Sequence, residues 1–425
     1  MRIEKIYALY KESYKVFKDT RDEAKDAIYF SLKGANFNGN AYAMEALKKG
    51  ASYAVIDEKQ YKVDDRMILV EDALTCLQDL ARYHRQQLKV PIIALTGSNG
   101  KTTTKELIHV VLDKKFNCYA TKGNFNNHIG VPLTLLSITP DHDFGVIEMG
   151  ANHQHEIEAL CNIALPDFGY ITNFGRVHLE GFGSFEGVIK GKTEMYRHLK
   201  KQGKKVFVNQ DDPIQMERTE GMERIVFGSS DGVCKIAFLG ADPFVNISFQ
   251  GMEIKSRLIG NYNFSNIAAA VCIGSYFGVE TDKIKIAIEG YIPENNRSQI
   301  IHHAGNKIIL DAYNANPNSM EAALNNLGTL SDKKKVAVLG DMFELGVDSR
   351  EEHQNIADQA VKLGLDRIYL IGETFADLSV EGAEVYQFNS FDAFTDHFKH
   401  QSFSKTTFLV KASRGMALER ILEYL

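Results

Sequence analysis

The sequence predicts an α/β protein in three domains, each built around a mostly parallel sheet, and three observations carry that expectation. The chain has 425 residues, more than one hydrophobic core accommodates and enough for two or three. Short β-branched runs alternate with helix-length segments through residues 89–297, and the alternation restarts after Pro293. A glycine-rich turn over residues 96–104 sits directly between an apolar strand and a helix. The central domain is therefore expected to be of the P-loop type, with an N-terminal α/β domain before it and a C-terminal Rossmann-like domain after it.

Residues 28–32 read as a short strand ending at Lys33-Gly34. Residues 34–40, Gly-Ala-Asn-Phe-Asn-Gly-Asn, form a turn-rich loop before a helix over 43–49. Strands at 53–56 and 67–70 and a helix over 72–88 complete a first domain, residues 1–88. Residues 90–95, Val-Pro-Ile-Ile-Ala-Leu, form a compact apolar strand whose β-branched content points to a buried parallel sheet. In the second domain, residues 89–297, strands at 144–149, 168–172 and 206–209 alternate with helices at 101–112, 184–199 and 264–277. In the third, residues 298–425, strands at 308–311, 335–339, 367–371 and 408–410 are separated by helix-length segments, which is the pattern of a doubly wound sheet.

The bulk numbers narrow the function. With 44% hydrophobic and 24% charged residues the chain has an ordinary globular composition. A net charge of −6 gives no basic footprint for phosphate backbones, so no nucleic-acid partner is expected. Cys76, Cys118, Cys161, Cys234 and Cys272 are scattered singly, which indicates reduced thiols in a cytoplasmic protein rather than a disulfide framework or a thiolate zinc site. The first seventeen residues carry charge in every turn, unlike a signal peptide, and no stretch of about eighteen apolar residues is available to span a bilayer.

Thr96-Gly-Ser-Asn-Gly-Lys-Thr-Thr-Thr104 has the parts of a phosphate cradle. Gly97 and Gly100 let the backbone approach a phosphate, the N–H groups of Asn99 to Thr103 open the helix, Lys101 supplies a point charge and the Thr102 hydroxyl suits Mg²⁺. A plain helix-capping turn is the blander reading, and Gly-Lys-Thr at a helix start weighs against it. The loop departs from the general GxxxxGK[ST] pattern, with Leu95 at the place of the first glycine and the glycine at Gly97 instead. Glu148 ends the strand at 144–149, where open parallel sheets collect ligands. It is either a buried structural carboxylate or an Mg²⁺ ligand beside Thr102. His178 is a weak signal alone, and by pattern alone Lys192, one of several lysines in its segment, belongs on a solvated helix face.

The Thr-Gly-x-x-Gly-Lys-Thr-Thr loop resembles that of the Mur ligases, the ATP-dependent amide ligases of cell-wall synthesis, and that of their relatives the folylpolyglutamate synthetases. Four segments carry the likeness across essentially the whole chain: residues 96–104; 123–132, Gly-Asn-Phe-Asn-Asn-His-Ile-Gly-Val-Pro; 178–184 with Lys192 after it; and 311–317, Asp-Ala-Tyr-Asn-Ala-Asn-Pro. The last of these is similar to the branch that adds D-alanyl-D-alanine to UDP-N-acetylmuramoyl-tripeptide.

The resemblance implies ATP and Mg²⁺ as cofactors, an acyl-phosphate intermediate and a chain working as a monomer. It implies that Lys101 and Thr102 bind the ATP phosphates and that Lys192 is carbamylated to hold a second Mg²⁺ with His178 and Glu148. Asn263 and Asn266 would face the base, although Tyr262 stands where a histidine is expected. Arg297 matches the arginine between the second and third domains, with Asn296 where a glycine is usual, and Asp311 would reach the ribose or phosphates. Ser31, Lys33, Asn36 and Asn38 resemble the uridine-nucleotide loop, with Asn38-Gly39-Asn40 in place of Asp-Gly-His; a plain polar loop is the other reading of them. Asn124, Asn126, Asn127, Asn314 and Asn316 fall in matching segments as substrate contacts. Lys411 and Arg414, in a segment expected to follow a strand and open a helix, would meet the carboxylate of the incoming dipeptide.

Other readings stay open on sequence. One is a sibling ligase adding a single amino acid, of which the diaminopimelate-adding one is disfavoured by the absence of an Asp-Asn-Pro-Arg segment, or a folylpolyglutamate synthetase, against which the uridine-like loop argues. Another is a P-loop ATPase or GTPase switch, against which the absent first glycine and residues 311–317 weigh. A binding module without activity would leave Lys101, Thr102, Glu148 and His178 unexplained.

Overall fold

The computed structural model describes residues 2–22, 25–230, 234–294, 296–382 and 384–425. It contains three main sheets and one two-stranded ribbon, and all three main sheets are largely parallel. The first has four parallel strands in the order Val16–Phe17, Ile28–Phe30, Tyr53–Ile56, Met67–Leu69.

The middle sheet has nine strands. Ile92–Thr96 lies between Phe144–Glu148 and Phe168–Ile171, all parallel, and every residue of Ile92–Thr96 is buried. Burial on both faces explains why that segment reads as an unbroken apolar run; each such Ile or Leu contributes about 1.5–3 kcal/mol. Beyond Lys205–Asn209 and Arg224–Gly228 the sheet turns antiparallel, through Cys234–Ala241, Phe244–Phe249 and Met252–Ile259. These last strands alternate buried and exposed residues, as one-sided antiparallel strands do. The third sheet runs Gln299–His303, Asn306–Asp311, Thr407–Lys411, Lys335–Gly340, Arg367–Ile371, Val385–Phe388, with only the first pair antiparallel.

The helix Ala73–Gln87 opens on Asp72, whose carboxylate accepts the Thr75 N–H at 2.6 Å. Its apolar face does not stay with the first sheet. One buried cluster contains Phe30, Leu77, Leu80, Ile92, Val131, Leu160 and Val206, so the first ninety residues and the middle sheet share a core. Separate clusters cover the two faces of the third sheet.

Two local expectations are corrected. Residues 184–199 are not one helix but two, Phe185–Lys192 and Glu194–Lys201, broken at Thr193. The Thr193 hydroxyl donates to the Ile189 carbonyl at 2.7 Å, a bond within the turn that bends a helix. Residues 411–416 do not open an α-helix. Arg414–Met416 is a single 3₁₀ turn, and Ala417 in the left-handed region at φ 48° ends it.

Candidate functional site

The loop between Ile92–Thr96 and the helix Lys101–Leu112 is shaped by backbone that only glycine adopts readily. Gly97 has φ 144° and Gly100 φ 77°. A Cβ on Gly97 would lie 2.0 Å from Thr172 Oγ1, and one on Gly100 would lie 2.5 Å from Asn266 Oδ1. The end of the neighbouring strand pins the loop: Asn99 N–H donates to Asn173 Oδ1 at 3.0 Å, Thr172 Oγ1 donates to the Asn99 carbonyl at 2.6 Å, and Ser98 Oγ receives the Gly175 N–H at 2.8 Å. Lys101 Nζ caps the Gly97 and Ser98 carbonyls at 2.8 and 3.0 Å. Burial lowers its pKa to about 8, against the opposing pull of the Glu148 carboxylate.

Glu148 closes the strand beside this loop and is 1% exposed. Its Oε1 accepts from Thr102 Oγ1 at 3.2 Å and from Asn126 Nδ2 at 2.8 Å. Its Oε2 is buried with no hydrogen-bond partner among the described residues. A carboxylate oxygen buried in that way, with a threonine hydroxyl on the same group, is a donor set that suits a hard cation such as Mg²⁺. Among the described residues there is no group of three or more His, Cys, Asp and Glu able to hold a metal.

Lys192 is not on a solvated face. It is 1% exposed, with Nζ donating to the Ala151 carbonyl at 3.0 Å and lying 5.2 Å from the centroid of the Phe182 ring. Burial first, and then the nearby Lys101 charge, holds its amine well below the ordinary lysine range. The missed signal was helical spacing: Val188 and Ile189, four and three residues before Lys192 and on its side of the helix, are apolar and buried. His178, at φ 49°, has its Nδ1 hydrogen-bonded to Glu344 Oε2 of the third sheet's loops. Burial pushes its pKa down while Glu344 pulls the other way.

The phosphate loop, Glu148 and His178 open onto one cavity of about 930 Å³, whereas Gly97 and the buried Lys192 are not among its lining residues. Of the residues expected from sequence, Asn99, Gly100, Lys101, Thr102, Thr103, Asn126, Asn127, Glu148, His178, Asn263, Asn266, Arg297, Asp311, Asn314, Asn316 and Lys411 line it. Asn263 and Asn266 are buried; Asn266 Oδ1 accepts from Thr104 Oγ1 at 3.0 Å and so braces the start of the phosphate helix, and its Nδ2 donates to Asn263 Oδ1 at 2.8 Å. Arg297 stacks 3.6 Å from the Tyr313 ring centroid. Asn296 beside it has φ 58°, which explains why a glycine suits that position and why Asn serves in its place. Tyr262 donates to or accepts from Ser298 Oγ at 3.0 Å and joins the middle sheet to the start of the third.

Lys411 is tied inward. Its Nζ meets Asp311 Oδ2 at 2.6 Å and the Asn314 carbonyl at 3.1 Å, with only 2% of the side chain exposed. It therefore fixes Asp311, whose Oδ1 also accepts the Ser298 N–H at 3.0 Å. Arg414 is exposed, pairs with Glu419 and lies off the cavity lining.

Contacts across the seam also tie the third sheet to the loop and to the strand end beside it, and of these residues only Asn99 and Asn316 were singled out from the sequence. Asn316 Nδ2 donates to Asn99 Oδ1 at 2.7 Å, Arg176 N–H donates to Asn318 Oδ1 at 2.7 Å, and the Arg176 guanidinium pairs with Glu352 at 2.9 Å.

The uridine-like loop lies outside the cavity. Ser31 is fully buried and donates to the Val55 carbonyl at 2.7 Å. Lys33 is held by Asp57 at 2.9 Å and Glu58 at 3.1 Å, which raises its pKa. Asn38 caps the turn by accepting the Asn40 N–H at 3.0 Å, and Asn36 is exposed. Asn124 is exposed on the loop before Asn126.

Comparison with known proteins gives a consistent result. Residues 95–274 match the model described as Mur ligase middle domain, and residues 296–414 match that described as Mur ligase, glutamate ligase domain. The UDP-N-acetylmuramoyl-tripeptide--D-alanyl-D-alanine ligase of Bacillus subtilis is 32% identical over 95% of this chain and 91% of its own. MurF from Acinetobacter baumannii superposes with a TM-score of 0.85 at 29% identity, over 96% of this chain and 92% of that one. MurF ligase from Thermotoga maritima in complex with ADP superposes with a TM-score of 0.83 at 26% identity, over 96% of both chains.

Proposed function

Because the chain belongs to the Mur ligase family, we infer that it joins D-alanyl-D-alanine to UDP-N-acetylmuramoyl-tripeptide, with ATP converted to ADP and phosphate. The observation that carries this reading is a single cavity on which a phosphate loop, an incompletely partnered Glu148 carboxylate and Asp311 of the third sheet converge. In the first step a tripeptide carboxylate oxygen attacks the γ-phosphorus, ADP leaves and an acyl phosphate forms. In the second the dipeptide amine attacks the acyl carbon, phosphate leaves and the amine loses its proton.

The N–H groups of the loop from Asn99 to Thr103 hold the phosphates from one side, and Lys101 stands at the loop mouth to neutralise charge that builds on the transferring group. Glu148 and Thr102 would hold Mg²⁺, which supplies Lewis-acid stabilisation of that charge. Burial disfavours the charged form of the Lys192 amine and so favours its addition to CO₂: its nitrogen lone pair bonds to the carbon, a proton leaves, and a carbamate with a carboxylate-like head results. That group would join His178 and Glu148 around a second Mg²⁺. Residues 1–88 hold the uridine end through the loop of Lys33, Asn36 and Asn38, with the buried Ser31 bracing its start. Residues 89–297 hold ATP, and residues 298–425 bring the dipeptide and exclude water from the acyl phosphate. The enzyme acts in the cytoplasm, where its nucleotide substrates are made, in keeping with five separate free cysteines and no helix among the described residues long and apolar enough to cross a membrane.

The test is phosphate release from ATP with UDP-N-acetylmuramoyl-tripeptide, with and without D-alanyl-D-alanine, with the peptide product weighed by mass spectrometry. Release that needs both substrates, with a product heavier by the dipeptide less water, is expected. Release indifferent to both would replace this reading with a nucleotide-hydrolysing switch.

A further inference from the structure

His178 lies on the middle domain, but its hydrogen-bond partner does not. Glu344 sits on the loop after the strand Lys335–Gly340 of the third sheet, 166 residues away in sequence, and its Oε2 meets His178 Nδ1 across the seam between the two. The loop that presents it is held by the three residues before Glu344 and, after it, by Leu345, which is buried in the third domain's core. Asp341 is buried and accepts the N–H groups of Thr374 and Phe375, each at 3.0 Å. Met342 N–H donates to His353 Nε2 at 2.9 Å, and Phe343 N–H donates to Ser413 Oγ at 2.9 Å. Glu344 itself has φ 63°, in the left-handed region that a non-glycine residue occupies at a cost of about 1–2 kcal/mol. Strain held in place by anchors on both sides is a mark of a side chain aimed at a target.

We propose that Glu344 is a positioning residue for the ligation, which holds His178 with its proton on Nδ1 and its Nε2 lone pair turned to the cavity only while the third domain is seated on the middle one. With Glu344 Oε2 placed to accept from Nδ1, a ring that carries its proton there presents Nε2 as an acceptor. His178 lines the cavity, so that nitrogen is the one left for the reacting groups. A carboxylate behind a histidine is how ring orientation and tautomer are commonly fixed where the far nitrogen has work to do. Because the carboxylate here comes from the third sheet's loop, His178 is oriented only while that domain is seated on the middle one. The inference rests on the ligase reading above.

The experiment uses the full chain with ¹⁵N-labelled histidine, ADP and UDP-N-acetylmuramoyl-tripeptide, with magnesium removed by chelation so that no metal on Nε2 sets the tautomer, and with the His178 signals identified by their loss in His178→Gln. Wild type is expected to show His178 as the Nδ1–H tautomer, and Glu344→Ala a mixture of tautomers. In the same variant kcat falls about 10- to 100-fold, the usual loss on removing such a partner, with the KM for ATP unchanged. Glu344→Gln, whose side-chain oxygen still accepts from Nδ1, recovers most of the tautomer and of kcat. An unchanged tautomer in Glu344→Ala would overturn the proposal, whatever happened to kcat. A clear tautomer contrast in a wild type that ligates nothing would instead overturn the ligase reading and support the link between Glu344 and His178.

Discussion

Replacing Glu148 with Gln separates the two roles a buried strand-end carboxylate can have. Its Oε1 accepts two hydrogen bonds, from Thr102 and Asn126, and its Oε2 none. Glutamine keeps the shape and one carbonyl oxygen, so both bonds survive in weaker, neutral form. That loss is about 1 kcal/mol per bond, taken as the difference between charged and neutral hydrogen bonds. Removing a buried charge with an unpartnered oxygen returns about 1–3 kcal/mol, so stability should move by no more than about 1 kcal/mol either way. Catalysis responds differently if Glu148 holds Mg²⁺ against the transferring phosphate. Losing one such stabilising contact typically raises the barrier by about 2.7–4 kcal/mol, or about 10²- to 10³-fold in rate. The assay is phosphate release with both substrates across a magnesium titration, beside thermal unfolding of the same preparations. Turnover above about a tenth of wild type at limiting magnesium, well outside that range, would refute the assignment and leave Glu148 as a structural acid.

Four further outcomes are expected. Lys192→Ala should nearly abolish ligation, with partial return on adding bicarbonate or short carboxylates; high activity without any such rescue would remove the carbamate. Gly100→Ala places a Cβ against Asn266 in a left-handed turn, at a cost of about 1–2 kcal/mol; ADP affinity measured by calorimetry should drop sharply while circular dichroism stays unchanged. Asn316→Ala removes the cap of the helix Pro317–Thr329 and its bond to Asn99, so thermal unfolding should report a loss of about 1 kcal/mol and scattering a larger radius of gyration. Burial lowers the pKa of His84 below its ordinary 6.5. The unfolded chain then binds the extra proton first, so this contribution is present above pH 6.5 and is lost as pH falls through the folded pKa. Acidification should lower the unfolding midpoint less in His84→Gln than in wild type.

The sequence by itself determined whatever depends on neighbours along the chain. The strand, Gly-Lys-Thr turn and helix of the phosphate loop are a local pattern of apolar run, glycine and helix start, and Ile92–Thr96 and Lys101–Leu112 follow it closely. Glu148 at a strand end was legible for the same reason. The strands that carry long apolar runs were legible too, whereas Cys234–Ala241 and its antiparallel neighbours, half exposed and irregular in register, were not. Only the tertiary structure decided which distant groups meet. Lys411 looked like a free cation for a substrate and proved to be the buried partner of Asp311, 100 residues away. Lys192 looked solvated because its own segment is lysine-rich, and it is buried because Phe182 and the Ala151 carbonyl close over it. The Asn99–Asn316 pair spans 217 residues and the His178–Glu344 contact 166. Such pairs leave no periodic trace, because they form through the packing of whole sheets on one another, and no local propensity of either residue encodes its partner.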